Sequence, residues 1–219
     1  MKLEGLKINF LGDSITEGAS ASCPENRYWN VLKREYGLAE ARGYGIGGTR
    51  IAKQITPSSV ARYDLDFCQR FVQMDDDADV VVVFGGTNDY GHGDAPIGNM
   101  ADRTPDTFYG ALHYLYTGLI NKYPTATIVV MTPLHRLDEY NLRGEGNKPE
   151  EGEPLITYVN IIKEVAAYYS LPVLDLWAMG GMQPNVPVLR EKFNPDGLHP
   201  NNAGHAKIAH RLAGFLQTL

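Results

Sequence analysis

The sequence predicts an α/β protein: a parallel β-sheet with helices on both faces. Three observations carry this. Apolar strand-like runs alternate with helix-like segments along the whole chain, an alternation that implies a parallel sheet. The run Val80-Val81-Val82-Val83-Phe84 is continuously apolar and rich in β-branched residues, the pattern of a strand buried on both faces. Each apolar run also stops abruptly at a glycine- or proline-bearing turn, as strands do where they leave a sheet.

Taken in order, Ile8, Phe10 and Leu11 form a first short strand ended by Gly12. Tyr28, Trp29, Val31, Leu32 and Tyr36 recur at helical spacing, with Gly37 as the stop. A strand over 38–44 is indicated, although Glu40 and Arg42 interrupt its apolar character. Residues 60–74 read as one helix on Ala61, Leu65, Cys68, Phe71 and Val72. Asp75-Asp76-Asp77 reads as a solvated acidic turn before the central strand. A long loop over 90–105 leads to a helix over 106–122, with Phe108, Leu112, Leu115 and Leu119 on one face. Ile128-Val129-Val130-Met131 is the fourth strand, and residues 140–154 read as a polar excursion or lid. A helix over 155–169, a strand at Val173-Leu174-Asp175-Leu176, a loop over 177–195 and a closing helix over 203–219 complete the chain. Right-handed crossovers place every strand's carboxyl end on one edge of the sheet, the edge where open α/β folds bind ligands.

The bulk properties bound the function. The 219 residues fit one large domain spanning 1–219, and 43% hydrophobic content is enough for a packed core. A net charge of −6 with no basic run argues against nucleic-acid binding. No stretch approaches the ~18 apolar residues of a membrane span, so no membrane partner is expected. Residues 1–7 lack the apolar segment of a secretory signal, which gives a cytoplasmic expectation. Cys23 and Cys68 are too few and too far apart for a disulfide framework and read as free thiols. No His/Cys cluster with ligand spacing suggests a metal. Nothing in the sequence specifies an oligomeric state.

Four turns carry the chemistry. Ser14 follows the first strand in Gly12-Asp13-Ser14-Ile15-Thr16. Gly45-Ile46-Gly47-Gly48-Thr49 follows the second, and Gly86-Thr87-Asn88-Asp89 the third. Asp196-Gly197-Leu198-His199 precedes the last helix. Acyl transfer needs a nucleophile, a base, a group that orients the base, and donors for a developing oxyanion. Ser14, His199 and Asp196 supply the first three. The Gly48 backbone N–H and the Asn88 amide are donors of the required kind, and glycine permits the close approach an oxyanion hole needs. The nucleophile elbow G-x-S-x-G is not met, because Thr16 stands where its second glycine would be.

The four blocks, spanning Gly12 to Pro200 in order, resemble the SGNH/GDSL hydrolases, a family named for a Ser, a Gly, an Asn and a His in separate blocks. The resemblance implies a flavodoxin-like three-layer α/β/α sandwich with a five-stranded parallel sheet. It also implies ester hydrolysis without metal or cofactor, with Ser14, Asp196 and His199 catalytic and Ser14, Gly48 and Asn88 forming the oxyanion hole. The second block departs most from the family pattern: Gly43 or Tyr44 stands where an Asn is usual, and the run of glycines leaves the donor open between Gly48 and Gly47.

The expected substrate is a small-molecule or saccharide ester, first among them a sugar O-acetyl ester, with a short-chain lipid or aryl ester as the alternative. Tyr28, Tyr90, His92 and Arg136 are candidates to line the cleft. Asp13 and Asp89 are expected to hydrogen-bond loop backbone. Two competing readings use the same residues. Gly43, Gly45 and Gly48 fit G-x-G-x-x-G, but a dinucleotide site wants that motif after a strong strand and opening a helix, and Pro57 breaks the following stretch. A non-catalytic carbohydrate-binding protein on the same scaffold is the other; labelling of Ser14 by a fluorophosphonate discriminates against it.

Overall fold

A computed structural model describes residues 1–148 and 150–219. The sheet has five parallel strands: β1 (Lys7–Gly12), β2 (Glu40–Gly45), β3 (Val80–Phe84), β4 (Thr127–Met131) and β5 (Val173–Leu174). Their spatial order is β2-β1-β3-β4-β5, the flavodoxin-like order, which reverses direction between β1 and β3. Register is continuous across the centre: Phe10 of β1 pairs with Val82 of β3, which pairs with Val129 of β4.

Side chains alternate across the sheet and feed two separate cores. Leu11, Val81, Val83, Ile128 and Val130 face one side, packed by α5 (Phe108–Lys122) and α6 (Leu155–Tyr168). Ile8, Phe10, Val80, Val82, Phe84 and Val129 face the other, packed by α2 (Tyr28–Tyr36) and α9 (Asn202–Thr218). All five residues of β3 are buried, as its sequence requires. β2 sits at the edge and is only partly buried, which is why it tolerates Glu40 and Arg42.

Three segments differ from the sequence reading. Residues 60–74 are not one helix but a 3-10 turn (Ala61–Asp64), the short helix α3 (Phe67–Arg70) and a second 3-10 turn (Phe71–Gln73). Asp66 is the cause: its side chain accepts the Gln69 N–H and starts a new helix inside the apolar pattern, leaving Leu65 and Val72 exposed. The stretch 177–195 is not all loop, since it carries α7 (Leu176–Met179) and α8 (Pro187–Phe193), begun respectively by Asp175 as N-cap and by a proline at the first helical position. The acidic turn is more than solvated charge. At the end of the sheet remote from the four motif turns, Asp77 pairs with Lys7 and Arg42, each at 2.7 Å, and Asp75 accepts from the Tyr44 hydroxyl at 2.6 Å.

The excursion over 140–154, apart from Pro149, which lies outside the described residues, is fastened onto α4 (Thr87–His92). The Glu145 N–H donates to the Gly91 carbonyl at 2.8 Å, and Lys148 Nζ donates to the Asp89 carbonyl at 3.0 Å. Both cysteines are free; Cys23 is exposed, while Cys68 is buried, which pushes its thiol well up. Among the described residues no helix is long and apolar enough to cross a membrane.

Candidate active site

All four motif turns meet at the carboxyl edge of the sheet. β1 delivers the first. Gly12 must lack a side chain, because a Cβ there would lie 2.0 Å from Thr16 Oγ1. Asp13 then caps the one-turn helix α1 (Ser14–Glu17), accepting the Ile15 N–H at 3.0 Å. This cap holds Ser14 at the first helical position, partly open to solvent. Burial pushes the Asp13 carboxyl up to about 6.

The fourth turn brings the base. Ser14 Oγ lies 3.0 Å from His199 Nε2, and His199 Nδ1 lies 2.7 Å from Asp196 Oδ2. Asp196 Oδ1 accepts the backbone N–H groups of Leu198 (2.8 Å) and His199 (2.7 Å). The carboxylate therefore orients the loop as well as the ring. Burial works against its charge, but the Leu198 N–H and the His199 ring and N–H outweigh burial and hold its pKa below the ordinary value. A carboxylate only accepts, so the imidazole proton sits on Nδ1 and the Nε2 lone pair faces the serine hydroxyl.

The second and third turns are locked together. Asn88, on the first turn of α4, donates one amide hydrogen to the Thr49 carbonyl at 2.9 Å. Asp89 accepts from Ile51 N (3.0 Å) and Ala52 N (2.9 Å), and burial raises its carboxyl to about 6. Gly47 and Gly48 differ in a way that separates them as donors. The Gly47 N–H is taken by Glu17 Oε2 at 2.7 Å, whereas the Gly48 N–H has no partner among the described residues. Gly48 has φ +76°, the left-handed region that favours glycine. The Ser14 N–H is likewise unpartnered, and Asn88 keeps a second amide hydrogen. A third residue closes over this turn: the Tyr63 ring lies where a Cβ on Gly48 would stand, 2.3 Å from it, and 6.0 Å from the His92 ring.

The candidate cleft residues fare unevenly. Tyr28 is a correction: it is fully buried, donating to or accepting from Thr16 Oγ1 at 3.0 Å beneath α1, and cannot line a cleft. Tyr90 is also buried, its hydroxyl bound by the Asp138 and Asn141 carbonyls. Arg136 is 7% exposed, stacked over Tyr90, with Nη2 on Glu145 at 2.9 Å. These three residues are buried and held by the chain itself: Tyr28 by the Thr16 hydroxyl, Tyr90 by two backbone carbonyls, and Arg136 by Glu145 and Thr87. His92 does face open space. It contacts Arg50 Nη1 through Nδ1 at 3.1 Å and, with Arg50, Ile97, Lys148 and Tyr158, lines a groove of about 760 Å³. The G-x-G-x-x-G reading fails on structure, since no helix opens after Gly48; residues 49–60 are turns and extended chain.

Sequence reasoning passed over Glu17, Tyr63 and Arg70. Arg70 is buried and ties the first two motif turns together: Nη1 donates to the Tyr44 carbonyl (2.7 Å), and Nη2 to the Gly12 carbonyl and Thr49 Oγ1 (each 3.0 Å). The partners that tie the turns lie 21 to 58 residues away in the chain, so no local pattern signals it. Glu17 had a signal, three residues after Ser14 and so on the same helical face.

Comparison with known proteins identifies the family. The chain is 26% identical over 222 residues to GDSL lipase Rv0518 of Mycobacterium tuberculosis, covering 95% of this chain and 80% of that one. A crystal structure of a protein from Lactobacillus plantarum superposes with TM-score 0.84 at 32% identity, covering 98% of each chain. An acetyl xylan esterase shares the fold at 23% identity and TM-score 0.61, covering 95% of this chain and 98% of that one. The sequence pattern of the GDSL-like lipase/acylhydrolase family matches residues 10–207, so the chain belongs to that family and is an ester hydrolase.

Proposed function

We propose that this ester hydrolase is a serine esterase that removes short acyl groups, of which O-acetyl on a saccharide alcohol is the leading case. The observation that carries the reading is the unbroken chain Ser14 Oγ–His199–Asp196 at 3.0 and 2.7 Å, together with the Ser14 and Gly48 N–H groups, which have no partner among the described residues.

Ser14 Oγ attacks the acyl carbon while His199 Nε2 takes its proton, and Asp196 stabilises the imidazolium that forms. The tetrahedral oxyanion is held by the N–H groups of Ser14 and Gly48 and by Asn88 Nδ2. His199 then protonates the departing alcohol. In the second half-reaction His199 takes a proton from water, the hydroxide attacks the acyl-enzyme, and the acid leaves as Ser14 regains its proton.

Two features support a short acyl group and a polar alcohol. The recess lined by Asp13, Ile15, Phe84, Pro133, Leu134 and Leu198, which include chain neighbours of Ser14 and His199, is too narrow for a water molecule and offers no channel of its own for a long acyl chain. The 760 Å³ groove, by contrast, includes Arg50, one residue beyond the Thr49 that Asn88 grips, and its walls mix charged side chains such as Asp94 and Lys148 with apolar ones such as Ile97 and Tyr158, a combination suited to the hydroxyls and apolar faces of a sugar. The acetyl xylan esterase that shares this fold acts on esters of this kind by its name.

The test is hydrolysis of p-nitrophenyl esters of increasing chain length by wild type and Ser14→Ala, with acetylated xylan and acetylated chitooligosaccharides alongside. Rates should fall from acetate toward octanoate, and Ser14→Ala should lose at least roughly 10³-fold in kcat. Unchanged activity in Ser14→Ala would sink the nucleophile assignment. Equal or rising rates with longer chains would sink the short-acyl assignment.

A further inference from the structure

Glu17 occupies a position that the catalytic set leaves unexplained. It closes α1, three residues after Ser14, and reaches across to the second motif turn. Its Oε2 accepts the Gly47 N–H at 2.7 Å, and its Oε1 accepts from Arg62 Nη2 at 2.5 Å. The two backbones approach closely here: a Cβ on Gly45 would lie 2.1 Å from the Glu17 nitrogen. A Cβ on Gly47 would lie 2.8 Å from Glu17 Oε2 and 3.5 Å from Ser14 Cβ. Gly47 therefore sits over both the nucleophile and the carboxylate that follows it.

We infer that Glu17 is a positioning residue that selects the oxyanion donor, binding the Gly47 N–H so that the Gly48 N–H is the one presented to the reacting oxygen. The physical argument is competition within a flexible turn. Gly45, Gly47 and Gly48 give residues 45–48 wide backbone freedom, and two adjacent N–H groups could each serve as donor. The Glu17 side chain reaches only the first of the two, placing an acceptor oxygen 2.7 Å from the Gly47 nitrogen, so the turn settles with Gly47 on Glu17. The Thr49 N–H is fixed separately on the Ile46 carbonyl at 3.3 Å. Gly48, at φ +76°, is left between two anchored neighbours with no partner for its N–H among the described residues. Because Glu17 belongs to the same single turn of helix as Ser14, nucleophile and donor are fixed relative to each other directly as well as through the sheet.

This rests on the reading of Ser14 as nucleophile and Gly48 as donor, and the experiment separates the two. Glu17→Gln keeps a carbonyl oxygen at the same reach and loses the charge. Glu17→Asp keeps the charge and, one methylene shorter, withdraws from Gly47. Both retain a polar side chain, so the pair remains informative if Glu17→Ala fails to fold. Steady-state kinetics on p-nitrophenyl acetate and the inhibition constant of phenylboronic acid, which forms a tetrahedral adduct on a catalytic serine, are measured for each. Removal of an oxyanion donor costs about 10²–10³ in kcat, and a misdirected donor keeps part of its effect. Glu17→Asp and Glu17→Ala should therefore lose roughly 10- to 100-fold in kcat, with KM within about twofold. Boronic acid affinity should fall by the same factor as kcat/KM, and Glu17→Gln should stay within about threefold of wild type. Wild-type rates in Glu17→Asp, a loss confined to KM, or an active Asp beside an inactive Gln would overturn the inference. Ser14→Ala run in parallel tells which assignment has failed: if it stays active the nucleophile reading is wrong, and if it is inactive while Glu17→Asp is normal only the role of Glu17 is wrong.

Discussion

Asn88 carries two amide hydrogens with different fates, and its chemistry depends on that division. One is spent on the Thr49 carbonyl, which fixes the side chain and leaves the other for the oxyanion role proposed above. Asn88→Ala removes the donor and the orienting bond together. It should lower kcat by about 10²–10³, or ~3 kcal/mol of transition-state stabilisation, with KM little changed. Steady-state kinetics on an acetyl ester checks this, and a change in KM alone would place Asn88 in ground-state binding instead. Asp13 shows a different use of a polar residue. Burial raises its carboxyl from 3.8 to about 6. Between those values the folded protein holds a proton that the unfolded chain has released, so stability falls as pH rises through the window. Above pH 6 the full cost applies, on the order of 3 kcal/mol. Asp13→Asn keeps the acceptor for the Ile15 N–H and removes the buried charge. It should be the more stable protein at pH 7, with the gap closing toward pH 4 in urea titrations; a gap independent of pH would remove the charge as its cause.

At the scale of elements, the short helix α1 is held from outside as much as by its own hydrogen bonds. His205 on α9 does part of this: its Nε2–H donates to the Ala19 carbonyl just after α1, and its Nδ1 accepts the Tyr28 N–H that opens α2, each at 3.3 Å. The ring also stacks against Tyr28 at 6.2 Å. Both nitrogens are thus committed in the neutral form, and burial lowers the pKa from 6.5 to about 4. The unfolded chain takes up a proton between 6.5 and 4 that the folded protein refuses. This contribution is therefore whole above pH 6.5 and lost as pH falls toward 4, by about 3 kcal/mol. His205→Gln should flatten the acid side of the stability curve by that amount. Parallel curves for the two proteins would show that acid lability arises elsewhere. Histidine pairs on one helix can suggest a ligand set, but His205 and His210 face different partners: His210 bonds Glu35 at 2.8 Å on the surface.

For the whole molecule, the sheet divides the interior into two cores that share only backbone. Leu112 belongs to one and Leu212 to the other, and both are fully buried. Truncation of either to Ala should cost about 2–5 kcal/mol through lost transfer energy and the cavity left behind. Because the two buried clusters have no member in common among the described residues, the double variant should equal the sum within about 0.5 kcal/mol. A coupling above ~1 kcal/mol in urea unfolding would mean that the sheet transmits repacking from one face to the other.

Much of this was readable in one dimension, for definite reasons. The apolar run of β3, the turns that end each strand and the four motif blocks are local patterns, and alternation of strand with helix then forces all four turns to one edge. Within that frame Ser14, Asn88, Asp196 and His199 could be singled out from residue type and order alone. The state of the Gly47 and Gly48 N–H groups could not, because Glu17, some 30 residues away in the chain, takes the Gly47 one. Nor could the fate of Tyr28, Tyr90 and Arg136: an aromatic or basic residue near a motif looks the same in sequence whether its polar end faces substrate or a carbonyl of its own chain. Arg70 is the extreme case, since its bonds run to the ends of β1 and β2 and to the turn at Thr49. The sequence determined the sheet, its edge and the chemical groups brought to it. Tertiary structure decided which donors remain unspent, because that depends on partners distant in the chain that meet only when it folds.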